Sequence, residues 1–139
     1  MKSFIFFCCL NLAFSFTHIV GANAAAITEY DCEGEDTEHF FLATATFENQ
    51  IMTLDMLQST QHTEGPFPLL PLRYKLKDLQ ASIERENRVY KFSPGNYQDC
   101  DYRWLWPMSL GSEEVLTTLL KLNCDGVRSE VEMTCTRNE

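Results

Sequence analysis

Residues 100–135 read CDYRWLWPMSLGSEEVLTTLLKLNCDGVRSEVEMTC, and the alternation within them decides the fold class. Tyr102, Trp104, Trp106, Met108 and Leu110 share one parity, while Arg103, Leu105, Pro107 and Ser109 share the other. A period of two belongs to a strand with one buried face, because successive side chains leave the backbone on opposite sides. Pro107 lacks an amide proton and therefore marks an edge or a bulge. After the turn Gly111-Ser112-Glu113, one face carries Leu116, Thr118, Leu120, Leu122 and Cys124. Asp125-Gly126 is the favoured dipeptide of a two-residue hairpin. Beyond it Val127, Val131, Met133 and Cys135 alternate with Arg128, Glu130, Glu132 and Thr134. The rival is a helix over 113–122, where Val115, Leu119 and Leu122 fall at helical spacing.

These turns fix a register. With Asp125-Gly126 as the turn, Cys124 stands opposite Val127, Leu122 opposite Ser129, Leu120 opposite Val131 and Leu116 opposite Cys135. The apolar faces then coincide, which a one-residue slip would undo. Cys124 and Cys135 lie near opposite ends of that hairpin, about 26 Å apart at a strand's rise, whereas a disulfide needs Cα atoms within about 7 Å. With Gly111-Ser112-Glu113 as the preceding turn, Leu110 faces Glu114, Trp104 faces Leu120 and Cys100 faces Cys124. The expected bridges are Cys100–Cys124 and Cys32–Cys135. A bulge at Pro107 would favour Cys32–Cys124 with Cys100–Cys135 instead.

Working back from this segment, Ser93-Pro94-Gly95-Asn96 is a turn. Residues 72–83 and 88–92 read as a hairpin about the polar stretch Glu84–Asn87. Residues 58–71 (QSTQHTEGPFPLLP) form a long proline-rich loop with apolar tips. It packs back on the core as a flap, or it presents Gly65, Phe67, Leu69 and Leu70 to a partner. Residues 50–58 fit a strand or a helix, and 39–47 (HFFLATATF) suit a strand. Six carboxylates crowd residues 29–38 (EYDCEGEDTE) without the spacing of a calcium loop, so they read as a solvated acidic arm tethered by Cys32. Six or seven strand candidates with no long helical pattern give an all-β fold, a small disulfide-linked antiparallel sandwich or partly open barrel. The alternative is an α+β fold with a helix at 50–58 or 113–122.

The first 24 residues read as a secretory signal peptide. Lys2 precedes the apolar centre Phe4–Phe16, and Ala22-Asn23-Ala24 offers the small-x-small cleavage pattern. The apolar run is shorter than the roughly 20 residues of a membrane span, so no membrane anchor is expected. Cleavage leaves one secreted domain, 25–139, with four cysteines, an even number suited to two disulfides in an oxidising compartment. The whole chain of 139 residues carries 11 basic and 20 acidic residues, a net charge of −9 that repels nucleic-acid backbones.

The chemistry points away from catalysis. The secreted part has two histidines, His39 and His62, and lacks Gly-x-Ser-x-Gly, Cys-x-x-Cys, His-Glu-x-x-His and any glycine-rich phosphate loop. No catalytic, metal-ligating or cofactor-binding residue is assigned, and no cofactor is expected. Trp104 and Trp106 share the parity of the core, whereas Arg103 and Leu105 face outward. The reading is a small secreted, acidic, non-enzymatic protein that binds an extracellular protein as an effector, inhibitor, toxin-like or defence component. Gly65, Phe67, Leu69, Leu70 and Arg103 are its contact candidates. The alternative is an extracellular carrier of a small apolar ligand held inside a barrel.

Overall fold

The computed structural model describes residues 26–60, 71–94 and 100–139. The expected signal peptide, residues 1–24, and the candidate contact residues Gly65, Phe67, Leu69 and Leu70 lie outside the described residues. The described chain is all-β, with nine strands: β1 (Ile27–Glu35), β2 (His39–Glu48), β3 (Ile51–Thr60), β4 (Leu72–Leu79), β5 (Ala81–Glu84), β6 (Asn87–Phe92), β7 (Cys100–Pro107), β8 (Val115–Cys124) and β9 (Val127–Arg137). They form one antiparallel sheet in the order β4-β3-β2-β1-β9-β8-β7-β6-β5, curled into a half-barrel. Both segments left open between helix and strand are strands, β3 and β8.

The sheet consists of two meanders, β1–β4 and β5–β9. Gln80 alone separates β4 from β5, so the continuous stretch 72–84 supplies both outer strands of the sheet. Asp78 sits at φ 56° beside a register shift between Met52 and Leu54, a bulge that turns the chain from the β3 ladder toward the β6 ladder. The other junction is the pairing of β1 with β9, in which Tyr30–Gly34 meet Arg137–Met133.

Tight turns set the registers. Asp125 and Gly126 both have positive φ, 50° and 80°, as a two-residue type I′ turn requires. Cys124 then pairs with Val127, Leu120 with Val131 and Leu116 with Cys135. Trp104 pairs with Leu120 and Cys100 with Cys124. The disulfides are Cys100–Cys124 and Cys32–Cys135, each joining directly opposed residues with Cα atoms 4.0 Å apart. Cys32–Cys135 therefore staples the junction between the two meanders.

Three expectations need correction. The acidic stretch is a strand in the middle of the sheet rather than a tethered arm, because Tyr30 and Cys32 turn inward while Glu29, Asp31, Glu33 and Glu35 face out. The strand through Trp106 ends at Pro107, so Met108 is exposed instead of continuing the buried row. The proline removes the amide that would extend the ladder. The polar hairpin turn shrinks to Arg85 and Glu86, with Glu84 and Asn87 paired in the strands.

The inner face is densely apolar. Trp104, Trp106, Tyr30, Phe47, Met52, Leu54, Leu120 and Met133 are fully buried. Phe47 and Trp106 meet edge-on at 4.7 Å between ring centroids, and Trp104 lies 5.1 Å from Trp106. Several polar atoms on this face find partners: the Trp104 indole donates to Thr118 Oγ1 at 2.7 Å, and Tyr102 and Tyr74 donate to Gln58 Oε1 at 2.6 and 3.1 Å. Burial holds the Tyr102 phenol far above its ordinary range.

Candidate interaction surface

The outer face of β1–β3 carries the densest run of like charge among the described residues. From residue 26 to residue 60 the chain has eight carboxylates and no lysine or arginine. Strand alternation puts four of them, Glu29, Asp31, Glu33 and Glu35, in one outward row on β1. Neutral donors hold part of that row. Thr44 Oγ1 donates to Asp31 at 2.8 Å and Thr46 Oγ1 to Glu29 at 3.2 Å. The Asn138 side chain, arriving from the C-terminal end of β9, donates to Glu29 at 2.9 Å and Asp31 at 3.1 Å. No cation neutralises Glu29 or Asp31 in those contacts.

The face ends at β4, where Arg73, Lys75 and Lys77 follow in alternate positions. Arg73 grips Asp55 of β3 with two parallel hydrogen bonds of 2.9 and 2.7 Å, and Lys75 stands 3.7 Å away. The Arg73 hydrogen bonds hold the Asp55 carboxyl below its usual range. Between the acidic row and this pair lies an apolar step, Leu42 paired with Leu57. Leu42 is 41% exposed, and the two leucines help line an open depression of about 500 Å³ with Asp31, Thr44, Asp55 and Arg73.

Arg103 occupies a different part of the outer surface. It projects from β7 in a transverse row, Lys91 opposite Arg103 and Arg103 opposite Lys121. Like charges placed directly opposite repel, and here carboxylates flank them. Glu84 binds both Arg103 and Lys91, the latter at 3.0 Å, and Glu130 binds Lys121 at 3.0 Å. Lys91 first and then Arg103 lower the Glu84 carboxyl. Arg103 is thus a member of a charge network, and Leu105 is only half-buried.

Asp36 and His39 meet at the β1–β2 turn. Asp36 Oδ1 accepts the backbone amides of Glu38 and His39 at 2.7 and 2.6 Å, closing the β1–β2 turn, and its other oxygen lies 3.5 Å from His39 Nδ1. Among the described residues, no three His, Cys, Asp or Glu side chains are placed to hold a metal ion. An acidic run of this density reads as a solvated arm, and the signal of the strand within it is the period-2 alternation with Tyr30 and Cys32. Comparison with protein-family models, curated proteins and solved structures finds no match.

Proposed function

We propose that the chain is a secreted, non-enzymatic protein that acts by binding another extracellular protein, and that the outer face of β1–β3 is its docking surface. One observation carries the reading: Glu29, Asp31, Glu33, Glu35, Glu48 and Asp55, with no lysine or arginine on β1–β3, lie on one outward sheet face around the exposed Leu42 and its half-buried partner Leu57. Interfaces combine an apolar centre with a charged rim, and a single-sign field steers a partner of opposite charge. The expected partner is therefore a cationic protein. The two disulfides are compatible with an extracellular setting.

The test immobilises the mature protein and passes over it the extracellular fluid of the tissue that makes it, at low and at high salt. Glu33→Lys/Glu48→Lys, at two exposed positions of this face that make no side-chain bond among the described residues, should lose the salt-sensitive partner while unfolding at an unchanged temperature. Equal capture by wild type and variant would refute the docking surface.

A carrier is the second reading, favoured by the stretch 72–84 closing the curl of the sheet from both edges. Organic extraction of the purified protein followed by mass spectrometry separates the two, since only a carrier releases a bound lipid or similar molecule.

A further inference from the structure

The lower end of the half-barrel, where the Asn49-Gln50 and Arg85-Glu86 turns lie, concentrates buried donors without acceptors. The Tyr30 hydroxyl, the Trp106 indole N–H and the Arg88 Nε–H are all shielded from solvent and have no hydrogen-bond partner. These three groups are neighbours. Arg88 pairs directly across the ladder with Trp106, and the Tyr30 ring lies 5.5 Å from the Trp106 ring. Their surroundings do not explain them as packing accidents of one side chain, because Trp104 beside them has its indole satisfied by Thr118 at 2.7 Å. Tyr90, two residues from Arg88, likewise donates to the Gln50 carbonyl at 2.8 Å.

Arg88 makes no ion pair among the described residues. Lys77, Arg85, Arg128 and Arg137 make none either, but they are exposed, whereas Arg88 is half-buried and faces inward. The Tyr90 hydroxyl is a neutral hydrogen-bond partner of the Arg88 side chain, so the inward guanidinium has a neutral neighbour but no counter-charge among the described residues. A neutral acceptor would satisfy hydrogen bonds but leave that charge uncompensated. We infer that the lower end binds a small monovalent anion, a halide or a single carboxylate, between Arg88, Trp106 and Tyr30. Size follows from the rings around it: Phe47 stands 4.7 Å from Trp106, and Phe47, Tyr90 and Trp104 are essentially fully buried, so a long chain has no place beside the charge. Arg88 is only half-buried, which leaves the site an approach from solvent. The inference is independent of the partner surface, which lies on the other side of the sheet.

The two tryptophans provide the assay. In the secreted protein labelled with ¹⁵N, each indole N–H gives its own resonance, and Trp104 is the internal control because Thr118 already holds its proton. Sodium chloride and sodium formate are titrated separately against sodium sulfate at matched ionic strength. The expected result is a saturating shift of the Trp106 resonance with chloride or formate, no matching shift of Trp104, and at least tenfold weaker binding in Arg88→Gln. Tyr30→Phe, which removes only a hydroxyl, should weaken binding in the same direction and serves if Arg88→Gln does not fold. A bromide soak should place an anomalous peak between the three groups. A drift common to both indoles, an unchanged titration in the variants, or an ordered water in place of bromide would overturn the inference.

Discussion

Removing the Cys32–Cys135 bridge should cost this protein more than removing Cys100–Cys124, and the reason lies in the sheet order. Cys32–Cys135 spans 103 residues of sequence and joins the two meanders where β1 meets β9. Cys100–Cys124 spans 24 residues inside one meander. The chain-entropy relation gives about 4.7 kcal/mol for a loop of the first length and about 3.5 kcal/mol for the second. The difference of about 1.2 kcal/mol is close to a tenfold change in the unfolding equilibrium. The measurement is urea unfolding of Cys32→Ala/Cys135→Ala and Cys100→Ala/Cys124→Ala, each compared with wild type. Hydrogen exchange adds a local readout: without the first bridge, protection should fall first at Asp31 and Glu33 and at Thr134 and Thr136, the residues paired across the junction. Equal losses in the two variants, or loss of protection in β7 and β8 first when Cys32 and Cys135 are replaced, would refute the view that the β1–β9 junction is the weak seam.

Gly34→Ala should destabilise by about 1–3 kcal/mol, the usual cost of overpacking. Its Cβ would lie 2.5 Å from Met133 Sδ and 2.6 Å from the Glu132 carbonyl, and thermal unfolding reads the loss. Thr118→Val should cost about 1–3 kcal/mol, the penalty of a buried donor left unserved, because it strips the acceptor from the Trp104 indole; a neutral result in urea unfolding would contradict the bond. The raised Tyr102 phenol contributes stability that is fully present below its unfolded value near 10 and is lost as pH rises through the higher folded value. Alkaline unfolding should therefore shift to higher pH in Tyr102→Phe relative to its own stability at pH 7.

The C-terminal third was legible because its signals are local. Asp125-Gly126 pins one register, the turn at Gly111-Ser112-Glu113 sets the next, the parity of Trp104 and Trp106 agrees with that of Leu120 and Leu122, and the cysteine pairing follows from these together. The register between Cys100 and Cys124 survived although the strand stops at Pro107, because the pairing that sets it, Cys100 through Leu105, lies before the proline. The N-terminal third was harder to read. β1 pairs on one side with β9, more than ninety residues away, and a distant partner leaves no mark in a local pattern. Six carboxylates in ten residues also mask the inward Tyr30 and Cys32, and Gly34 removes the apolar residue that would have completed the alternation. Orphaned donors such as the Trp106 indole are invisible in sequence by nature, since they are defined by what the fold places beside them.

The adjacency of the first and last strands sets a timetable for biosynthesis. β1 leaves the ribosome with β2 as its only available neighbour, and its other edge stays unpaired until β9 follows. At about 5–20 residues per second, a separation of 103 residues means a delay of roughly 5–20 s. During that interval the nascent chain presents an open strand edge and the reduced thiol of Cys32. The carboxylates of β1 then have a second use, as charge that keeps waiting edges from pairing with one another.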